Sequence, residues 1–96
     1  MPIQVVAAQE DSPARITIHG AFDYSVSGDF RLALKKLEGV ERCVVDLETT
    51  SYVDSSALGM LLVLRDHVER VQISNCTGYA KRVFDIAGFE AIFDFD

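Results

Sequence analysis

The chain has 96 residues, and nine Lys and Arg against fifteen Asp and Glu give it a formal net charge of -6. This length supports one domain, residues 1–96, and excludes two-domain enzymes. With 49% hydrophobic and 25% charged residues, the composition is typical of a folded domain rather than a disordered tail. The acidic balance argues against a nucleic-acid binder, which needs clustered basic residues.

The first elements predicted are two strands joined as a hairpin. Apolar residues alternate from Ile3 to a polar turn at 9–13 that contains Pro13. Ile16 and Ile18 then alternate with polar neighbours, as in a strand with one face on the core and one face in water.

A helix is predicted after Gly20. Four apolar residues there have the spacing of one helix face: Phe30, Ala33, Leu34 and Leu37. Ser25 or Ser27 is the expected N-cap, since a hydroxyl there accepts a hydrogen bond from the first turn. Gly39 is placed to end the helix.

The second half of the chain predicts two more strands and two more helices. The short β-branched run at 43–47 indicates a buried central strand, and 71–75 a further strand. Between them, a loop at 49–56 leads into a very apolar helix at 57–68. A last helix at 80–87 is closed by Gly88, and the apolar tail is expected to dock, with room for a short final strand.

This order of elements predicts an α/β fold with one small, mostly parallel sheet. Strand, helix and strand follow one another twice, which favours parallel strands with right-handed crossovers. The opening hairpin adds one antiparallel strand. The helices are expected to pack mainly on one side.

Cysteine and histidine placement predicts neither a metal site nor a redox pair. Cys43 and Cys76 lack the spacing of a zinc or disulfide-exchange motif and are interpreted as reduced. His19 and His67 are far apart with no third ligand at a suitable spacing. No run of about eighteen apolar residues and no basic, hydrophobic leader occurs, so we expect a cytoplasmic protein without membrane insertion or cofactor.

Asp54-Ser55-Ser56 is the candidate for function, because it stands directly before the most apolar helix. The plain interpretation is that these serines cap the helix. The alternative starts from the anion affinity of a helix N-terminus: a phosphate on the serine would add about two negative charges to a surface that a partner reads. Spacing alone leaves both interpretations open.

The stretch from Asp46 to Leu62, DLETTSYVDSSALGMLL, resembles the signature of the STAS domain family, and in particular of its anti-sigma factor antagonists. Three other segments agree with that family's pattern: Gly20–Asp23, Lys81–Phe84 and Ala87–Phe89. The similarity extends over nearly the whole chain. Two departures are Ala57, where antagonists usually carry glycine, and the missing paired glycine before Val71.

The resemblance implies a bacterial regulatory domain without enzymatic activity that is phosphorylated on Ser55, with Ser56 as the fallback. The implied partners are an anti-sigma factor with serine kinase activity, bound only by the dephosphorylated form, and a phosphatase that resets the switch. The implied partner-binding residues are Asp23, Tyr24, Asp54, Ser55, Ser56, Leu58 and Gly59.

Other functions predict different partners or turnover. Single STAS domains also serve as unmodified cytoplasmic subunits of membrane transport ATPases, which is the alternative function. A hydrolase with Ser55 as nucleophile is disfavoured, because the Gly-x-Ser-x-Gly elbow is missing. The acidic surface favours a monomer.

Overall fold

The computed structural model describes residues 2–96, and along that range seven strands and three α-helices occur. The strands are β1 (Ile3–Val6), β2 (Ala14–Ile18), β3 (Gly20–Phe22), β4 (Arg42–Asp46), β5 (Thr50–Val53), β6 (Arg70–Ser74) and β7 (Asp94–Phe95). The helices are α1 (Ser27–Lys36), α2 (Ser55–His67) and α3 (Gly78–Ile86).

Five strands form the main sheet, in the order β1, β2, β4, β6, β7. β1 pairs with β2 antiparallel, whereas β2, β4, β6 and β7 are parallel to one another. This confirms the predicted α/β fold with a mostly parallel sheet and an N-terminal hairpin. β4 lies at the centre because its residues 43–45 are apolar and buried on both faces of the strand.

The helices cover one face of the main sheet. Ala14, Ile16 and Ile18 point to this face and are fully buried, while Arg15 and Thr17 between them face the other way and stay accessible. The largest buried side chains come from strands and helices alike: Phe22, Phe30, Phe84, Ile16, Ile18, Leu37, Leu61, Leu64 and Ile73. One core therefore joins the sheet to all three helices.

A second sheet of two strands, β3 and β5, was not predicted. The segment 49–56 is expected to be a loop from the sequence, but Thr50–Val53 pairs in parallel with Gly20–Phe22. The Thr50 hydroxyl donates to the Ile18 carbonyl at 2.8 Å, and the Gly20 N–H donates to the Thr49 carbonyl at 2.9 Å. Gly20 has φ +78°, a left-handed conformation that glycine adopts easily, so the chain bends there from the main sheet into the small one.

The two cysteines are free thiols. Cys43 lies on the covered face of β4, where burial raises the pKa of its thiol to about 12. Cys76 is half-buried, and burial raises the pKa of its thiol to about 11.

Candidate functional site

The small sheet places two aspartates beside each other. Phe22 and Val53 are partners across β3 and β5, and Asp23 and Asp54 are the residues that directly follow them. Both aspartates have extended backbones, with φ -140° and ψ -168° at Asp23 and φ -129° and ψ -171° at Asp54. Each one caps the helical turn that begins after it.

Asp54, rather than a serine, caps α2. Its Oδ1 accepts a hydrogen bond from the Ser56 N–H at 2.8 Å, and its carbonyl accepts one from the Ala57 N–H at 3.1 Å. The interpretation of the two serines as the caps is therefore wrong: the extended residue is the one before them. Ser55 becomes the first residue of α2, with its side chain in an exposed position.

Asp23 has the same role at the other strand. Its Oδ1 accepts from the Ser25 N–H at 2.9 Å and from the Ser25 hydroxyl at 2.5 Å, which closes a 3-10 turn over 24–26. The prediction that Ser25 or Ser27 caps the first helix is wrong. α1 continues from this turn at Ser27, and Val26 before it offers no side-chain cap.

Two shallow apolar grooves flank the first turn of α2. The α1–α2 groove has a volume of about 430 Å³ and is lined by Tyr24, Ser27, Phe30, Arg31, Leu34, Ser56, Gly59, Met60 and Val63. The α2–α3 groove has a volume of about 330 Å³ and is lined by Val53, Asp54, Ser55, Leu58, Tyr79, Val83, Ile86 and Ala87.

Asp23 lines neither groove, and the other residues singled out from the sequence divide between the two. Ser55 lines the α2–α3 groove together with Asp54 and Leu58. Ser56 lines the α1–α2 groove together with Tyr24 and Gly59. The two candidate phosphoacceptors are adjacent in sequence, yet a charge on each would fall beside a different apolar surface.

The structure adds two residues to this surface that the sequence does not single out, Tyr79 and Ile86. Tyr52 of β5 and Tyr79 of α3 stack with ring centroids 5.9 Å apart and an angle of 11° between the planes. Ile86 is 88% exposed at the end of α3. The sequence carries one signal for an exposed Ile86: it does not belong to the predicted apolar face of the last helix, which consists of positions 80, 83, 84 and 87.

Two other elements of the family pattern are structural. Lys81 donates hydrogen bonds to Asp85 and, at 2.8 Å, to Glu90, and it lies over the Phe95 ring. These hydrogen bonds, above all the one that Lys81 donates to Asp85, raise the pKa of Lys81. Phe84 is fully buried and stacks on Phe89. This segment therefore fastens α3 to the C-terminal tail.

The histidines are engaged by neighbouring polar groups. His19 Nδ1 lies 2.6 Å from Thr49 Oγ1 and its Nε2 lies 3.2 Å from Gln4 Oε1, whereas His67 Nδ1 is bonded to the Val63 carbonyl. Among residues 2–96 there is no group of three His, Cys, Asp or Glu side chains able to hold a metal ion. No helix within that range combines the length and apolar character that crossing a membrane requires.

The chemistry that this site could support is attachment of an anionic group, such as a phosphate, to the Ser55 hydroxyl. Ser55 is accessible, and the helix N-terminus behind it favours an anion. Of the residues that line the two grooves, Arg31 alone carries a positive charge. A phosphate at Ser55 would thus lie close to the Asp54 carboxylate, in a groove that no basic side chain lines.

Comparisons with known proteins agree with the fold. The STAS domain model matches residues 4–96. A STAS-domain containing protein of Pseudomonas aeruginosa (strain UCBPP-PA14) is 41% identical over 98 residues, covering 97% of each chain.

Solved structures of anti-sigma factor antagonists share the architecture. The unphosphorylated form of SpoIIAA aligns with a TM-score of 0.75 and 19% identity, over 98% of this chain and 86% of that one. An anti-sigma factor antagonist from Mycobacterium paratuberculosis aligns with a TM-score of 0.81 and 14% identity, over 97% of this chain and 84% of that one. At these identities the likeness is one of fold.

Proposed function

This chain belongs to the STAS domain family, and from that premise we propose that it is an anti-sigma factor antagonist that acts by partner switching. In its dephosphorylated form it binds an anti-sigma factor that is also a serine kinase. Transfer of the γ-phosphoryl group of ATP to the Ser55 hydroxyl, with release of ADP and a proton, ends that binding. A phosphatase restores the free hydroxyl.

The observation that carries this proposal is the position of Ser55. It is exposed as the first residue of α2, held behind the Asp54 cap and on the rim of an apolar groove. A kinase can therefore reach the hydroxyl while the fold stays intact. A partner that covers the α2–α3 groove would cover Ser55 as well.

Local charge explains how the phosphate would release the partner. The phosphate adds about -1.5 to -2 at neutral pH, whereas the whole chain already carries -6. The total changes modestly, but the new charge is adjacent to Asp54 and next to the apolar groove. A partner that covers this groove would have to bury the phosphate. That burial is unfavourable because the groove supplies no positive charge to pair with it.

The same features support a domain without catalytic turnover of its own. The grooves beside Ser55 are open and shallow, and the two histidines are bonded away from that serine, to Thr49, Gln4 and Val63. We therefore propose a cytoplasmic binding module. Incubation of the isolated domain with ATP or ester substrates is expected to give no turnover.

Phosphorylation by the cognate kinase tests the acceptor. Wild type, Ser55→Ala and Ser56→Ala are incubated with the kinase and ATP, and the phosphate is located by mass spectrometry. We expect Ser55→Ala to abolish incorporation and the adjacent, matched Ser56→Ala to retain it. The reverse result moves the acceptor to Ser56 and the α1–α2 groove. Normal incorporation in both variants refutes the assignment.

Binding measurements test the switch itself. Ser55→Asp introduces a charge, and Ser55→Asn is a control of nearly the same size without one. We expect Ser55→Asp to weaken binding of the anti-sigma factor on the order of tenfold or more, and Ser55→Asn to bind much as wild type does. Equal affinities would refute the charge mechanism. Capture of a membrane transport ATPase in place of a sigma regulator would favour the alternative STAS function.

A further inference from the structure

The outer edge of the main sheet ends in unpaired backbone groups. Within residues 2–96, β1 is the outermost strand and pairs only with β2. The His19 N–H donates to the Pro2 carbonyl at 2.7 Å, and the register pairs Gln4 with Thr17. Because hydrogen-bonded pairs alternate along an antiparallel ladder, the N–H and C=O groups of Ile3 and Val5 point away from β2.

This edge has two of the usual protections against pairing, since β1 is only four residues long and follows Pro2, but it lacks the others. Natural edge strands also carry charged side chains, above all lysine, or a bulge that discourages a second strand. β1 is uncharged along its length, with the sequence IQVV, and its pairing with β2 is regular over all four residues. Val6, at its end, is 58% exposed.

A ridge on α1 runs beside this edge. Leu32 is 58% exposed, with Asp29 three residues before it and Lys36 four residues after it, and all three line a small groove with Ile3 and Val5. Neither Asp29 nor Lys36 takes part in an ion pair with any other described residue. The ridge therefore has an acid at one end, a base at the other and an apolar residue at its centre.

We propose that β1 and α1 form the interface of a symmetric homodimer. A two-fold axis perpendicular to the sheet makes the two β1 strands antiparallel, so that Ile3 and Val5 of each copy supply the missing hydrogen-bond partners of the other. The same axis makes the two α1 helices antiparallel. Asp29 of one copy then faces Lys36 of the other, and the two Leu32 side chains meet at the centre.

The occupant is a second copy because the edge and the ridge are self-complementary about one axis. A pairing centred on Gln4 sets Ile3 opposite Val5 of the other copy, and Asp29 and Lys36 lie almost equally far from Leu32 along α1. This dimer departs from the monomer expected on total charge alone. Charges farther apart than about 8 Å are largely screened at physiological salt, so the net charge of each copy adds little repulsion across the interface.

The groove at this interface shares no lining residue with the two grooves beside α2, and the proposal does not depend on the proposed function. The experiment is sedimentation equilibrium of the whole chain from about 10 µM to about 1 mM, a range suited to a small interface. We expect the mass to rise with concentration towards twice the 10.6 kDa of one chain. A single species of 10.6 kDa throughout overturns the proposal.

Three variants test the geometry. Leu32→Lys sets two ammonium groups at the axis, and the matched control Leu62→Lys changes another exposed leucine, on α2. Val5→Pro removes an outward N–H without removing a hydrogen bond to β2. We expect Leu32→Lys and Val5→Pro to weaken dimerisation at least about tenfold and Leu62→Lys to leave it unchanged. Equal effects of Leu32→Lys and Leu62→Lys overturn the proposed surface.

Charge reversal gives a readout that a folding defect does not imitate. Lys36→Glu sets two carboxylates against each other across the axis and should weaken the dimer. Adding Asp29→Lys to that variant restores opposite charges and should restore dimerisation, whereas each single variant stays impaired. Circular dichroism confirms that all variants are folded. Failure of the double variant to recover overturns the proposed pairing.

Discussion

The main sheet and the small sheet are built in different ways. In the main sheet, charge is neutralised across strands: Arg15 bonds to Asp46 at 2.9 Å, and the Asn75 amide donates to the same carboxylate at 2.9 Å. In the small sheet, Asp23 and Asp54 accept hydrogen bonds from residues two positions ahead of them. The interactions of Asp46 join segments that are far apart in the sequence. The hydrogen bonds to Asp23 and Asp54 stabilise only the turns that follow these two residues.

This difference indicates that the two sheets have separate tasks. The main sheet supplies most of the buried strand residues that stabilise the fold, and the small sheet adds Phe22 and Val53. The small sheet orients two helical turns and leaves Tyr24, at 76% exposure, and Ser55 on the surface. Side chains beyond the caps are thus free to meet a partner at little cost in stability.

The largest effect should come from a core deletion in the main sheet. Ile73 lies in β6 with no exposed surface, and Ile73→Ala is expected to lower the free energy of unfolding by about 2–5 kcal/mol through lost burial and a cavity. In the small sheet, Tyr52→Ala removes a half-exposed ring that stacks on Tyr79, and it should cost about 1 kcal/mol or less. Urea denaturation of both variants measures the contrast, and equal losses would break it.

Removal of a cap should have an intermediate effect. Asp54→Ala leaves the first turn of α2 without its side-chain acceptor and should lower the free energy of unfolding by about 1 kcal/mol. Asp23→Ala should cost less, since it caps a turn of only three residues. Glu38→Ala, which changes an exposed acid beyond the end of α1, serves as the control. A loss from Asp54→Ala as large as that from Ile73→Ala would mean that the cap of α2 stabilises the fold as much as a buried side chain of the main sheet does.

The Asp46 cluster should give a smaller, pH-dependent effect. Partial burial by itself raises the pKa of Asp46, but hydrogen bonds from Asn75 and the Glu48 N–H, together with Arg15, outweigh it and hold the pKa below its usual value of 3.8. Stabilisation by the folded-state carboxylate is therefore complete above that value and is lost as the pH falls through the lower, folded-state pKa.

The variant Asp46→Asn isolates this contribution. At neutral pH it should be less stable than wild type by up to about 1 kcal/mol, and the gap should narrow at an acidic pH below 3.8, as the wild-type carboxyl takes up a proton. Urea midpoints at both pH values measure the gap. A gap that stays constant with pH would show that the carboxylate charge is not what stabilises the main sheet.

Thiol labelling should show the smallest difference. Burial raises the pKa of both thiols, to about 12 at Cys43 and about 11 at Cys76, so the reactive thiolate is scarce near neutral pH. Cys76 retains some exposure before α3, whereas Cys43 has almost none. Iodoacetamide at about pH 8 should modify Cys76 slowly and Cys43 only after denaturation. If Cys43 reacted faster than Cys76, the covered face of the main sheet would have to be open to the reagent.

The sequence predicted the main sheet well because that sheet depends on local hydrophobic periodicity. The strands at 14–18, 42–46 and 70–74 alternate or run apolar, and the helices between them repeat at helical spacing. The small sheet escaped prediction since Thr50–Val53 is mostly accessible and its partner lies some thirty residues earlier in the chain. Such a strand has almost no signature of its own.

The sequence predicted a helix start beside the candidate site but not its detailed geometry. Asp54-Ser55-Ser56 contains three residues of cap-forming type, and only the backbone conformation determines that the aspartate is the extended one. Sequence proximity also hid the division of the two serines between different grooves. Tyr79 and Ile86 join the surface through the packing of α3, which no pattern near Ser55 encodes.

The bend at Gly20 has a consequence for how this chain can change in length over evolution. β2 and β3 are separated by His19 alone, and β4 and β5 by the three residues 47–49. Because both connections are short, the register between β2 and β4 determines the register between β3 and β5. One inserted residue before Gly20 would slide Asp23 out of line with Asp54 and turn alternate side chains to the opposite face. Insertions and deletions in these two connections are therefore expected only in matched pairs.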